Sequence, residues 1–206
     1  MRNENMLNAN LLAVPYVDPE NGGIPGQIAQ DARLACYDEN EFKKLASKFQ
    51  DGYTEAKKGN INYSYSDSKL DDKDVENMSY NRRAEFVMYE ILKNLGFKVA
   101  ITPTNKDGGA DVLVFEKDTN NIIYAVDVKR GQSVSSGFCS DKSENFLRNI
   151  NSDMKRFVVA FDKPNQVAKV PSFKTQLNKG FLNYTYSLES FLDIMYSQSM
   201  ANQEMI

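Results

Sequence analysis

The rhythm of hydrophobic and polar positions changes at about residue 79. Upstream of it, residues 1–35 mix Asn, Pro and Gly (Asn21-Gly22-Gly23, Pro25-Gly26) with little periodicity, which predicts loops with at most one short helix. Residues 39–58 place Phe42, Leu45, Phe49 and Tyr53 at helical spacing, an amphipathic helix weakened by Gly52. Residues 59–78 are polar and turn-rich and read as a linker or exposed loop.

From Ser79 onward the pattern sharpens. Ser79 is a cap for a helix over residues 80–95, and Gly96 stands where a left-handed stop is expected. FKVAIT reads as a strand, followed by a turn-rich stretch from Pro103 to Gly109. The runs ADVLVFE (110–116) and IIYAVDVKR (122–130) are rich in β-branched and aromatic residues, with a hairpin turn between them. A helix around 141–152, a strand over 156–162, a loop from Lys163 to Lys179, a short strand near 181–186 and a helix over roughly 187–199 complete the chain. The order α-β-β-β-α-β-β-α predicts an α/β fold with a mixed central sheet flanked by helices. Residues 79–206 form its domain, and residues 1–78 a mainly helical or loop extension of unknown role.

Composition removes several chemistries. The 206 residues contain no histidine, so Ser-His-Asp and Cys-His catalysis and His-containing zinc sites are excluded. Cys36 and Cys139 stand far apart, without metal-ligand spacing, and read as inert thiols in a reducing cytosol. The apolar run Leu11–Val14 is too short for a signal-peptide core, and no stretch reaches the length of a membrane span, so a cytoplasmic protein is expected. Net charge is −3, unevenly spread: residues 1–78 carry 9 basic and 14 acidic side chains, residues 79–206 carry 16 and 14. The second part is compatible with a phosphate-bearing partner.

Four polar residues stand where packing alone favours apolar ones. Ala84, Met88, Ile91, Leu92 and Leu95 form the apolar stripe of the first strong helix. Glu85 lies about 20° from Leu92 at 100° per residue, whereas Glu90 falls on the opposite side and is expected to face solvent. A carboxylate on the buried side is costly unless something compensates its charge, as a metal ion would. Asp111 opens a strand directly after Gly108-Gly109. Asp127 and Lys129 share one face of a strand whose Val126 and Val128 face the other way. For Asp111 to join that face the hairpin needs an odd loop or a bulge. Three acids and a lysine at a sheet edge suit phosphodiester hydrolysis: Mg²⁺ takes hard oxygen ligands and keeps several waters. The cation lowers the pKa of a bound water, and a lysine stabilises developing charge.

Asp111, followed sixteen residues later by Asp127-Val128-Lys129, resembles the PD-(D/E)xK nuclease signature. The lead-in Asp107-Gly-Gly-Ala-Asp111, the exit Val128-Lys129-Arg130, the step Leu95-Gly96-Phe97 and the placing of Glu85 are similar to the Mrr-like restriction endonuclease branch. The resemblance covers roughly residues 79–196. It departs at two points: no proline precedes Asp111, and Asp127 stands where the branch more often has Glu or Gln. The resemblance implies a restriction-endonuclease-like core and a Mg²⁺-dependent nuclease, with Mn²⁺ as a substitute cation. It implies Asp111, Asp127, Glu85 and the Val128 backbone carbonyl as metal ligands, and Lys129 as catalytic.

The expected function is therefore a DNA endonuclease of restriction, repair or mobile-element type, with RNA still open as a substrate. The alternative is a catalytically silent nuclease-fold module that binds nucleic acid or a protein. A homodimer is one arrangement open to enzymes that cut both strands, though no oligomer signal stands out. Arg130, Gly108, Gly109, Lys155 and Arg156 are candidate nucleic-acid contacts, with a solvated surface role the plain alternative for each charge. Likewise Asp127 and Lys129 have an alternative as an exposed pair on an edge strand, and Glu85 as a partner of Arg82 or Arg83.

Overall fold

Three helices precede the segment where the pattern sharpens: α1 (Gly23–Tyr37), α2 (Glu39–Phe49) and the short α3 (Asp72–Glu76). They are followed by α4 (Tyr80–Asn94), β1 (Lys98–Ile101), β2 (Val112–Phe115), β3 (Ile122–Lys129), β4 (Lys155–Ala160), β5 (Lys174–Asn178), β6 (Phe181–Ser187) and α5 (Leu188–Glu204). The computed structural model describes residues 23–49, 70, 72–102, 110–119, 121–130, 154–162, 174–178 and 181–204. The helix expected around 141–152, the stretch containing Gly108 and Gly109, and most of the expected linker lie outside the described residues.

The expected mixed sheet is present, with six strands in the order β1-β2-β3-β4-β6-β5. The β1–β2 and β2–β3 pairs are antiparallel, β3–β4 and β4–β6 are parallel, and β5–β6 is antiparallel. The carboxyl ends of β3, β4 and β6 therefore lie at one edge, near Lys129, Ala160 and Ser187.

Helix α4 begins and ends as its sequence dictates. The Ser79 hydroxyl accepts a hydrogen bond from the Arg82 backbone N–H at 3.3 Å, satisfying a donor that the first turn leaves open. Gly96 adopts φ +87°, a left-handed conformation that a side chain resists, and turns the chain into β1.

Its apolar stripe packs on the sheet face that carries Val112, Val114, Val126, Val128, Phe157 and Val159, all in one buried cluster. The same cluster takes in Ile28 and Ala32 of α1, Phe42 and Phe49 of α2, and Phe191 of α5. Phe49 and Phe86 meet at 5.0 Å between ring centroids, so the α2 contact is an aromatic one.

Four expectations change. Residues 23–37 form a full helix rather than loops, because its buried face is built of small residues (Gly26, Ala29, Ala32, Ala35, Cys36) that give little hydrophobic contrast. Asp72–Glu76, expected within a linker or exposed loop, is the short helix α3, while the helix expected over 39–58 is present over Glu39–Phe49 and its remainder lies outside the described residues. Glu90 is buried, not solvent-facing, since α4 is covered by helices as well as by the sheet. Burial raises its carboxyl pKa, with Lys93 and Lys48 partly offsetting the cost. Lys174–Asn178, expected as loop, is an edge strand; its polar sequence lacks the alternation that marks a half-buried strand.

The cap at Ser79 sets the start of the helix that carries Glu85. Ser79→Ala is expected to cost about 1 kcal/mol, a fall in Tm of about 2–4 °C for a chain of this size. Ser79→Asp, which restores an acceptor at a helix N-terminus, should recover most of it in the same melting experiment.

Candidate active site

The β2–β3 hairpin decides whether the two aspartates meet. Its ladder pairs Val112 with Val126, Leu113 with Ala125 and Val114 with Tyr124, then shifts so that Phe115 pairs with Ile122. Ile123 is the extra residue, a bulge on β3. The connection itself, residues 116–121, has an even length. Asp111 lies just before the last ladder pair, Val112 with Val126: its N–H donates to the Val126 carbonyl at 2.8 Å and its Oδ2 accepts the Val128 N–H, which holds its carboxylate beside Asp127. The expected irregularity is thus present.

Both acids are buried at the carboxyl edge of the parallel strands. Asp127 is 1% exposed and sits on a strand flanked on both sides, so it belongs to the interior and not to an exposed edge pair. Its Oδ1 lies 2.5 Å from Lys129 Nζ, and its Oδ2 accepts a hydrogen bond from Arg156 Nη2 at 2.9 Å. Asp111 Oδ2 accepts the Val128 backbone N–H at 2.6 Å. Burial pushes the Asp111 carboxyl well above the usual carboxylate range, and the negative charges of Asp127 and Glu85 push it the same way. Lys129 loses charge preference to burial, but attraction to Asp127, the bond to it and the charge of Asp111 outweigh that and raise its pKa. Lys129 is therefore a cation at neutral pH.

Glu85 reaches this group from α4. It is half-buried and accepts a hydrogen bond from Arg82 Nη1 at 2.7 Å; the same nitrogen donates to the Thr102 carbonyl at 2.7 Å. The Thr102 hydroxyl in turn donates to the Ala110 carbonyl at 2.6 Å, beside Asp111. Pairing with Arg82, the plain alternative for Glu85, is thus what the structure holds, although its charge is felt at Asp111.

Arg156 corrects the sequence reading. A residue taken as a phosphate contact is 1% exposed, because β4 aligns it with Ala125 on the face of Asp127 and its guanidinium is used there. Lys155, its neighbour, is exposed and free to meet solvent-side ligands. Arg156 has a place at the site that spacing did not reveal, whereas Arg82 is one of the two partners weighed for Glu85. Arg82 is one turn before Glu85, a signal that was available; the β3–β4 register that brings in Arg156 was not. Cys36 is buried and its thiol is pushed up to about 12, mainly by burial, which fits the inert role expected of it.

The donor set suits a hard divalent cation in chemistry: two neighbouring carboxylates, one with its pKa raised by burial and by like charges. In geometry it is not assembled. Among the described residues no group of three acidic or sulfur side chains is drawn together closely enough to hold a metal ion. Glu85 would have to exchange Arg82, and Asp127 would have to turn an oxygen from Lys129.

The raised pKa of Asp111 fixes a sign. An acid that is harder to ionise when folded contributes stability that is fully present below its ordinary value and is lost as pH rises through the folded value. In metal-free protein, Asp111→Asn should therefore melt higher than wild type near pH 8, by a few degrees (about 2–4 °C per kcal/mol), and the gap should close towards pH 4. A gap that is constant with pH would refute the buried like-charge account.

Residues 75–139 match the Mrr catalytic (Mrr_cat) family model, described as a restriction endonuclease. No curated protein matches the chain. The matched stretch runs from α3 past the end of β3 and contains Glu85, Asp111, Asp127 and Lys129. The matched stretch, 65 of the 206 residues, is similar to a restriction endonuclease domain of the Mrr type.

Proposed function

We propose that the chain is a Mg²⁺-dependent endodeoxyribonuclease of restriction, repair or mobile-element type. One observation carries the proposal: the Val128 N–H bond to Asp111 Oδ2 brings that carboxylate beside Asp127, with Lys129 paired to Asp127, at the carboxyl edge of β3. Asp111 and Asp127, with the Val128 carbonyl and Glu85, are the groups that would hold the cation. When bound, Mg²⁺ supplies charge neutralisation at the scissile phosphate and a water of lowered pKa.

The chain's own residues do the rest. The part of Lys129 is to donate hydrogen bonds and positive charge to the phosphate as negative charge develops. Asp127 holds the lysine ammonium in place from two residues away. Arg156 steadies the other oxygen of Asp127 from below and limits its rotation. Duplex DNA is the proposed substrate, and the Mrr-type segment is the ground for preferring it to RNA.

A second reading has its own observation. Three acids and three cations (Asp111, Asp127, Glu85; Lys129, Arg156, Arg82) already balance one another, and Glu85 is taken by Arg82. That arrangement also suits a silent nuclease-fold module that binds nucleic acid or a protein without cutting.

Supercoiled and linear DNA incubated with Mg²⁺, Mn²⁺ or EDTA separates the two. The nuclease reading expects metal-dependent cleavage that Lys129→Ala lowers by on the order of 100-fold or more. Cation binding is checked independently by melting: a tenfold excess over Kd adds about 1.4 kcal/mol, and Asp111→Asn should abolish that gain. Protein that binds no cation and cuts neither DNA nor RNA is the silent module.

A further inference from the structure

Lys129 has a neighbour on the other side of the strand. Because side chains alternate, Lys129 leaves β3 on the face of Asp127, while Arg130 turns to the face covered by α1 and α4. There its guanidinium lies 4.9 Å from the ring centre of Tyr37 and 5.3 Å from that of Tyr80. Arg130 Nε donates to the Tyr37 hydroxyl at 2.8 Å, and Nη1 reaches Asn81 Oδ1 at 3.5 Å. The Tyr37 hydroxyl donates onward to the Asp162 carboxylate. Arg83 stands 5.0 Å from the Tyr80 ring, so a second guanidinium adds positive charge there.

Packing alone gives a poor account of this cluster. Among the described residues three large apolar side chains are exposed, Leu34, Tyr37 and Tyr80, and two of them flank this one cation. Cation–π contacts at exposed sites contribute little to stability, so two aromatic rings on the surface are a weak device for holding a fold. They are a strong device for fixing the orientation of a guanidinium. Arginine grips phosphate through a planar fork, and a fork already oriented loses less freedom on binding. The position matters equally: Arg130, Asp162 and Lys129 all lie at the carboxyl edge of parallel strands, where open α/β sheets bind ligands.

We infer that Arg130 contacts a backbone phosphate of DNA next to the one held near Lys129, and that Tyr37 of α1 positions it. The inference rests on the nuclease reading for the identity of the ligand. It assigns a role in substrate binding to a helix that lies upstream of the Mrr-type segment. Tyr37 acts through Arg130, while Asp162 orients the Tyr37 hydroxyl and keeps the carboxylate turned from the phosphate.

The test is equilibrium binding of the full chain to two unrelated duplexes in EDTA, across a range of salt, for wild type, Arg130→Ala, Arg130→Lys, Tyr37→Phe and the pair Tyr37→Phe/Arg130→Ala. Arg130→Ala should weaken both duplexes alike, by about tenfold, and flatten the salt dependence by about one phosphate contact. Arg130→Lys should keep the salt dependence and recover part of the affinity. Tyr37→Phe keeps the ring and removes the hydroxyl; it should weaken binding about threefold, and have no further effect once Arg130 is alanine. Unchanged affinity and salt dependence in Arg130→Ala would overturn the inference while leaving the nuclease reading intact. An equal loss from Tyr37→Phe in both backgrounds would remove its positioning role. Wild-type chain that binds neither duplex sinks the nuclease reading and this inference together.

Discussion

A carboxylate buried in the middle of a sheet has to be answered, and much of this site is arranged around answering Asp127. At 1% exposure its charge has almost no water to solvate it. Two cations from two strands replace that water: Lys129 two residues further along the same strand, and Arg156 from the parallel neighbour. Arg156 would not be tolerated there alone, since an unpaired buried charge costs several kcal/mol, whereas Lys129 keeps part of its side chain in solvent. The double pairing answers both oxygens of Asp127. It also explains why Asp111, which receives only a backbone N–H among these partners, is the acid that resists ionisation.

The helices upstream of the Mrr-type segment are not an appendage in physical terms. Ile28, Ala32, Phe42 and Phe49 lie in the same buried cluster as the valines under the site. Arg33 goes further: its Nε donates to the Phe161 carbonyl at 2.9 Å, its Nη2 to the Asp162 carbonyl at 3.2 Å, and its Nη1 pairs with Glu189 at 2.5 Å. One side chain of α1 thus ties the end of β4 to the start of α5. The edge where the site opens is fixed from behind by a helix that the family comparison does not reach.

What the sequence made legible follows the strength of its periodic signals. Ser79, Gly96 and the valine-rich strands were readable because cap, stop and alternation are local chemistry, and the four-residue candidate set stood out as polar residues interrupting them. Helix α1 was hidden because alanine and glycine supply its buried face, although Pro25 in its first turn is a helix-start signal. Glu90 was misplaced because a helical wheel assumes one covered face, and α4 has more than one. Arg156 could not be found from spacing: its partner is set by the register of two strands joined through a long connection. Strand β5 lacked any pattern to read, as polar edge strands commonly do.

The bulge at Ile123 carries a consequence of another kind. Opposed residues share a face, so what the hairpin must conserve is parity: the numbers of paired residues next to the site, 112 and 126, have to add to an even value, and the connection between the strands is of even length. The extra residue reconciles the two. A lineage that changes this turn by one residue must either absorb the change outside the ladder or gain or lose a bulge. Otherwise one step would exchange an acid for a valine at the heart of the site. The turn's length is free to drift only in twos, and its variation among descendants should show that arithmetic.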